Sequence, residues 1–280
     1  MFNKTYIAFA IFFTIFVQFA DASPIKVSDN GRSFNWNNGS PFFWLADSAQ
    51  ALAVRLSRED VDLYLQNRAA LGFNVIKTDV ISFIGFNAPN FYGDRPFLNG
   101  DPSLPNESFW QHLDYIVNKA GSLGLIIGLV PDRSLIIDNF NNGAPGRLNE
   151  STASLYGRYL GTRYAGKSVV WVLGWDVDPS RREAVFAALA DGIEAGAGGT
   201  SLITFHPSAA PWVPTGSSSY WFHNHSWLDF NSVQSGHTDN NESYGLLENH
   251  ATLSADYALF PAKPTLDMEP AYENTPTVFG

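Results

Sequence analysis

The chain has 280 residues, of which 45% are apolar and 16% are charged; this composition excludes a disordered protein and supplies a large core. Its 27 acidic and 17 basic residues give a formal net charge of −10, which argues against a partner held through phosphate groups, nucleic acid above all. Because the chain has no cysteine, disulfides and thiol nucleophiles are excluded.

The first 22 residues are typical of a secretory signal peptide. Lys4 gives a basic start, residues 6–20 form an apolar run, and Ala20-Asp21-Ala22 is a cleavage site of small residues. The run is shorter than the roughly twenty residues that a membrane-spanning helix needs, although a retained anchor is the alternative. We therefore expect a secreted, extracellular protein, free of the membrane after cleavage, with one domain over residues 23–280. Five N-x-S sequons are compatible with a glycoprotein: Asn38, Asn106, Asn149, Asn224 and Asn241.

The elements that follow alternate between strands and helices. Residues 25–28 and 32–36, joined by the turn Asp29-Asn30-Gly31, predict an N-terminal β-hairpin. Apolar runs predict strands at 41–45, 73–80, 125–130, 168–173, 201–205, 228–234 and 264–267. Amphipathic patterns predict helices at 57–71, 107–123, 151–164, 180–195 and 242–257. This alternation predicts an α/β fold of parallel strands, and its length suits a (β/α)8 TIM-type barrel. With seven strands, the count is one short, so we expect that the last β/α unit is missing or that the hairpin fills the gap.

Polar side chains recur where the predicted strands end. They are Asp47, Asp79, Asp132, Asp176, His206, His237 and Glu269. Barrel enzymes place their reacting groups at this end of the strands, so we expect these residues around one mouth. Two facing carboxylates with aromatic rings nearby are what cleavage of a glycosidic bond needs. Taken singly, each Asp has a helix cap or loop hydrogen bond as its alternative role.

Tryptophan and tyrosine side chains near these strand ends are candidates for stacking on sugar rings: Trp44, Trp175, Trp221, Trp227 and Tyr272. In a chain with 15% aromatic residues, core packing is the alternative for each. His223 and His225 lack a third convergent ligand, so we expect neither a metal nor another cofactor.

Several motifs resemble the apiosidase-like glycoside hydrolases. They are Pro41-Phe42-Phe43-Trp44-Leu45-Ala46-Asp47, Gly93-Asp94-Arg95-Pro96-Phe97, Trp171-Val172-Leu173-Gly174-Trp175-Asp176, Thr204-Phe205-His206-Pro207, Leu228-Asp229-Phe230-Asn231, Gln234-Ser235-Gly236-His237 and Leu266-Asp267-Met268-Glu269-Pro270-Ala271-Tyr272-Glu273. The resemblance runs from about residue 25 to residue 280 and implies a retaining barrel glycosidase, with Asp176 as acid/base and Glu269 as nucleophile. It also implies apiose-containing pectic side chains as substrate. The family leads us to expect a small glycine where Trp175 stands, and a last strand and helix beyond Gly280.

We therefore predict a secreted, monomeric glycoside hydrolase that acts on plant cell-wall polysaccharide or oligosaccharide. The residues expected to bind substrate are Trp44, Asp47, Asp79, Asp132, Trp175, His206, Trp221, His237 and Tyr272. One alternative is a barrel glycosidase of another specificity, such as a β-glycosidase on cell-wall glucans. Another is a carbohydrate-binding pseudoenzyme without turnover, or a truncated barrel that is inactive.

Overall fold

The computed structural model describes residues 24–82, 84–133, 136–139, 144–210, 213–236 and 249–270. The predicted signal peptide, the first part of the helix predicted at 242–257, and the candidates His237 and Tyr272 lie outside these residues. Among the described helices, none has the length and apolar character that crossing a membrane requires.

The order of strands and helices agrees closely with the predicted order. The strands are β1 (Ile25–Val27), β2 (Phe34–Trp36), β3 (Pro41–Phe42), β4 (Ala46–Ser48), β5 (Val75–Asp79), β6 (Ile126–Val130), β7 (Ile137–Asn139), β8 (Ala144–Pro145), β9 (Val169–Val177), β10 (Ile203–Pro207), β11 (Asn231–Gln234) and β12 (Thr265–Glu269). The helices are α1 (Leu52–Arg55), α2 (Arg58–Ala70), α3 (Glu107–Ser122), α4 (Glu150–Arg163), α5 (Glu183–Ala197), α6 (Ser219–Phe222) and α7 (Asn249–Tyr257), with a short 3-10 turn at Leu98–Gly100.

A five-stranded parallel sheet, in the order β10-β9-β6-β5-β4, forms the centre of the molecule. A second parallel pair, β11-β12, lies beside β10, because the Thr204 hydroxyl donates to the carbonyl of Phe230 over 2.7 Å and the Asp229 amide donates to the carbonyl of Ile203 over 2.9 Å. The predicted α/β fold with parallel strands is confirmed. The missing last unit stays a prediction.

The prediction of one strand over residues 41–45 is wrong. Pro41–Phe42 instead pairs antiparallel with β2 and extends the N-terminal hairpin to three strands, while the parallel strand begins at Ala46. Asn74 explains the break, because its side chain donates to the carbonyl of Phe43 over 2.6 Å and accepts from the amide of Leu45 over 2.9 Å. These bonds hold the backbone between the two sheets.

Apolar layers fill the space between the central sheet, the β11-β12 pair and the N-terminal sheet. The lowest layer, at the amino ends of the strands, contains Ile25, Phe34, Val75, Ile126, Val170 and Phe230. Above it, toward the carboxyl ends, lies a second layer of Val130, Val172, Trp175 and Met268. The other face of the central sheet packs against the helices in the main core. The polar residues at the strand ends therefore lie directly above packed apolar layers.

Candidate active site

Strand β9 carries a bulge at the point where the predicted acid/base stands. In the register with β10, His206 faces Gly174 and Pro207 faces Val177, so Trp175 and Asp176 are left out of the ladder. Gly174, Trp175 and Asp176 have φ angles of 78°, 111° and 59°. A bulge of this kind turns side chains away from their regular alternation, and here it aims Trp175 and Asp176.

Asp132 and Gly174 anchor that bulge. Both carboxylate oxygens of Asp132 accept the amide of Gly174 at 3.1 Å, and Asp132 is buried. A side chain at Gly174 would lie 2.7 Å from the ring of Phe205 and 2.8 Å from the carbonyl oxygen of His206, so the close approach requires glycine. Burial raises the pKa of Asp132 to about 8. Asp132 thus stabilises the bulge through its hydrogen bonds with the amide of Gly174.

A second bulge, in β12, lies at the predicted nucleophile. Val233 faces Asp267 and Gln234 faces Glu269, which leaves Met268 unpaired. Asp267 consequently turns toward Ser235, whose hydroxyl donates to it over 2.5 Å. Glu269 points the other way, into the buried space above the apolar layers.

Three nitrogen atoms surround one oxygen of Glu269. Trp175 Nε1 donates to Glu269 Oε2 over 3.3 Å, His206 Nε2 lies 3.5 Å from the same oxygen, and Lys77 Nζ lies 3.8 Å from it. Lys77 Nζ also donates to the carbonyl of Met268 over 3.3 Å. The bulges on β9 and β12 therefore bring Trp175 and Glu269 into direct contact.

The surroundings of Asp176 and His206 shift the pKa values of both side chains. Burial, and next the negative charge of Glu269, raise the pKa of Asp176 to about 7, against the opposing effect of Arg133. Burial and the positive charges of Lys77 and Arg133 lower the pKa of His206 well below its ordinary value, so its imidazole is neutral. Near neutral pH, Asp176 is thus partly protonated beside an anionic partner, which is how an acid and a nucleophile differ in a glycosidase.

Sequence reasoning missed Lys77, Arg133, Ser208 and Gln234. Ser208 and Gln234 lower the pKa of Asp176 against the effect of burial, and the guanidinium of Arg133 lies 4.9 Å from the ring centroid of Trp175. A signal for Lys77 was present, because it is the lone basic residue in the strand Val75–Asp79, whose residues are all buried. Gln234 stands in one of the motifs that carry the family resemblance but was given no role there, and Arg133 and Ser208 stand in segments without a distinctive pattern.

Asp47 and Asp79 belong to the strand ends but contact structural groups. Asp47 accepts from the hydroxyl of Tyr64 over 2.8 Å and forms an ion pair with Arg68, both on α2. Asp79 accepts the amide of Ala51 over 2.5 Å, where Ala51 has a φ of 59° at the start of α1. Both placements favour a structural role over sugar binding.

The tryptophan candidates are similarly placed against protein. Trp44 packs on Phe34, Phe42 and Phe230 near the amino ends of the strands. Trp221 packs edge-on against Phe205, with ring centroids 6.5 Å apart. Trp227 is buried in the main core.

His223 is held by protein groups. Its Nδ1 lies 3.2 Å from Asn231 Oδ1 and its Nε2 lies 3.0 Å from the carbonyl oxygen of Pro261. Over the described ranges, no three side chains of the metal-binding types lie together.

Comparison with known proteins gives matches over most of the chain. A family model described as "Apiosidase-like, catalytic domain" matches residues 28–279. A solved structure titled "Glycoside hydrolase" is 30% identical, with a TM-score of 0.77, over 91% of this chain and 57% of that one. The crystal structure of a glycoside hydrolase family 5 from Bacteroides vulgatus ATCC 8482 is 31% identical, with a TM-score of 0.79, over 90% of this chain and 55% of that one.

A more distant solved structure, an endo-1,4-beta-mannanase from Rhizomucor miehei, shares the fold at 14% identity and a TM-score of 0.58, over 87% of this chain and 80% of that one. No curated protein sequence matches the chain. The chain spans a little over half the length of the first two structures.

Proposed function

The chain belongs to the apiosidase-like family of glycoside hydrolase catalytic domains, and from this premise we propose that it hydrolyses O-glycosidic bonds by a retaining mechanism with Glu269 as nucleophile and Asp176 as acid/base. The observation that carries the proposal is the pair itself. The two bulged strands bring the buried carboxyl group of Glu269 and the partly buried carboxyl group of Asp176 to one space, where burial and next the charge of Glu269 raise the pKa of Asp176.

In the first step, Glu269 attacks the anomeric carbon while Asp176 donates its proton to the departing oxygen, so the glycosidic bond breaks and a glycosyl ester forms on Glu269. In the second step, Asp176, now ionised, takes a proton from water, whose oxygen attacks the anomeric carbon and releases Glu269. Once Glu269 is esterified, its negative charge is gone, which lowers the pKa of Asp176 and suits it to act as base.

The expected substrate is an apiose-containing pectic side chain of the plant cell wall. This proposal rests on the family description. We further propose that the parallel strands form a (β/α)8-type barrel and that residues 1–22 direct a monomeric protein to secretion, leaving residues 23–280 as the barrel domain. Sugar contacts of His206, His237 and Tyr272 are part of the same proposal.

Substitution of each carboxyl group tests the mechanism. The substrate is a pectic oligosaccharide that the wild-type chain hydrolyses. Glu269→Gln and Asp176→Asn should each lower kcat/KM by at least about 10³-fold, because each removes a group that forms or breaks a bond. Asp229→Asn is the matched control. Burial also raises the pKa of Asp229 to about 7, but this residue accepts the amide of Ile203 at the amino ends of the strands and should leave the rate unchanged.

An activated substrate separates the two roles. With a 2,4-dinitrophenyl glycoside, whose leaving group needs no proton, Asp176→Asn should keep kcat/KM within about tenfold while Glu269→Gln stays inactive. Full activity of Glu269→Gln would refute the assignment. Glycan binding without turnover by the wild-type chain would instead identify a carbohydrate-binding pseudoenzyme.

The pH profile gives an independent test. As pH rises through about 7, Asp176 loses the proton that it must donate, so kcat/KM on the unactivated oligosaccharide should fall with an apparent pKa near 7. A profile that stays flat to pH 9 would contradict Asp176 as the acid.

A further inference from the structure

Lys77 is a charged side chain enclosed above the apolar layers. It is 3% exposed, its ammonium lies 3.8 Å from Glu269 Oε2, and it donates to the carbonyl of Met268, the bulged residue just before Glu269. The same ammonium lies 4.2 Å from the ring centroid of Trp175, whose Nε1 donates to Glu269 Oε2. Lys77 therefore contacts the carboxylate, the backbone that carries it, and the ring that also holds it.

Among the described residues, five ionisable groups act on Lys77 or are acted on by it. They are Glu269 from β12, Asp176 from β9, Arg133 after β6, His206 from β10 and Asp79 from its own strand β5. Burial and the positive charge of Arg133 disfavour the charged form of the ammonium, the three acids favour it, and His206 is neutral. A buried carboxylate in turn needs a compensating charge, which Lys77 supplies to Glu269.

We propose that Lys77 is a positioning residue of the proposed glycoside hydrolysis, whose ammonium, together with Trp175, holds the Glu269 carboxylate in the orientation for attack. This inference rests on the proposed function and deepens it. Lys77 touches no reacting atom in the mechanism given above. It acts through Glu269, and its positive charge is required.

A role that needs the charge of Lys77 makes activity depend on the pH at which that charge is lost. Burial lowers the pKa of Lys77 to about 8. For a lysine whose pKa is lowered, the charge is present below that pH and is lost above it, so the carboxylate loses its partner in mildly alkaline solution. On an oligosaccharide this loss is masked, because Asp176 has already given up its proton near pH 7.

The experiment measures kcat/KM between pH 5 and 10 on 2,4-dinitrophenyl glycosides, for which deprotonation of Asp176 does not slow the first step. The proteins are the wild type, Lys77→Met, Lys77→Arg and the control Lys263→Met. Lys263 is a second lysine whose pKa burial lowers, but it donates to the carbonyl of His225 over 3.1 Å and lies next to Asp229, away from Glu269. Circular dichroism and thermal unfolding at each pH verify that every variant is folded.

The proposal expects an alkaline fall near pH 8 in the wild type and in Lys263→Met. It expects Lys77→Met to lose about 10²-fold or more at pH 6.5, and Lys77→Arg to keep measurable activity with the fall moved upward by at least one pH unit, because arginine stays charged. Lys77→Met within threefold of Lys263→Met, or a fall near pH 8 that persists in Lys77→Arg, overturns the role of Lys77. If Lys77→Met does not fold, the Lys77→Arg profile decides.

Failure of the proposed function is distinguishable from failure of this inference. If wild-type chain hydrolyses no glycoside, both fall together. If it turns over substrate through Glu269 and the Lys77 variants behave like Lys263→Met, only the positioning role is refuted.

Discussion

Two regions of the molecule restrict the backbone sterically: the contact between helices α4 and α5, and the end of strand β9. The residues that occupy the restricted positions differ between the two regions. Between the helices, Gly157, Gly161, Gly192 and Gly196 stand where a Cβ atom would lie only 2.1–2.4 Å from the partner backbone. At the end of β9, the positive φ angles that glycine adopts most easily are occupied by Trp175 and Asp176.

The difference follows from what each region must do. The helix contact needs only close packing of two backbones, which glycine allows at the cost of its low helix propensity. The end of β9 must present an indole N–H to Glu269 and a carboxyl group beside it, and glycine offers neither. Strain of about 1–3 kcal/mol per residue is typical of functional sites, where the surrounding structure enforces it. Here, the Asp132–Gly174 contact is the enforcing element.

The largest difference in stability between a variant and its matched control is expected at the helix contact. Gly161→Ala would place a methyl group 2.1 Å from the carbonyl oxygen of Ile193, and since that contact is backbone, the helices must separate. We expect the free energy of unfolding to fall by about 3 kcal/mol or more, measured by urea denaturation. Catalytic parameters of the remaining folded protein should be unchanged.

Gly121→Ala, near the end of α3, is the control for that substitution. Its added methyl group would meet only the side chain of Ser168, with the hydroxyl at 3.4 Å, so the change should be neutral or stabilising by up to about 1 kcal/mol. Equal destabilisation by the two substitutions would show that the α4–α5 spacing is not what requires glycine at Gly161.

A smaller effect is expected from comparing two truncations at Trp175. Trp175→Ala and Trp175→Gly both remove the buried ring and the contact with Glu269, so both should lose activity and several kcal/mol of stability. They differ in backbone preference, because only glycine adopts a φ of 111° without strain. We expect Trp175→Gly to be more stable than Trp175→Ala by about 1–2 kcal/mol, measured by urea denaturation.

At a position with ordinary helical backbone, alanine is more stable than glycine, which is the reverse of the order expected at Trp175. Ala188→Gly in α5 tests it within the same protein and should destabilise by about 1 kcal/mol, since glycine is the poorer helix former. If Trp175→Ala is as stable as Trp175→Gly, the backbone at this position is not strained.

The regular elements of this fold are predictable from sequence because apolar periodicity reports burial directly. The helix expected at 107–123 is α3 at Glu107–Ser122, and the strand expected at 125–130 is β6 at Ile126–Val130. The strand expected at 168–173 extends to Val177. The apolar pattern does not predict this extension, since the last residues form the bulge and carry no apolar alternation. The division at 41–45 depends on the side chain of Asn74, about thirty residues away, which no local pattern encodes.

The candidate site is predictable in part for a related reason. Strand-end position selects acids such as Asp176 and Glu269, and it also selects Asp47, which turns to α2 instead. Direction depends on register, and register shifts at the two bulges are tertiary features. The contact of Lys77 with Glu269 joins β5 to β12 across 192 residues of sequence, so only the folded arrangement reveals it.

The smallest effect is expected from Asp176→Asn, which separates the backbone requirement from the charge. Asparagine tolerates a φ of 59° and matches aspartate in shape, so at pH 5 stability should change by less than about 0.5 kcal/mol. Asp176→Ala, which lacks the local hydrogen bonds of an amide, should be about 1 kcal/mol less stable than Asp176→Asn. Urea denaturation of the three proteins measures both differences.

Raising the pH turns the same variant into a test of the charge. The folded pKa of Asp176, about 7, lies above that of the unfolded chain, so the folded state keeps a proton that the unfolded state gives up, and the contribution of this group to stability falls as pH rises from about 4 to 7. Asp176→Asn has no such loss and should become the more stable protein by pH 8. Asp62→Asn should instead be the less stable protein throughout this range, because hydrogen bonds from Lys119 and Tyr115 lower the pKa of Asp62, whose contribution to stability is lost only as the pH falls below about 4. If Asp176→Asn and wild type lose stability in parallel across this range, the carboxyl group is ionised throughout, and the proton that the proposed mechanism takes from it must come from elsewhere.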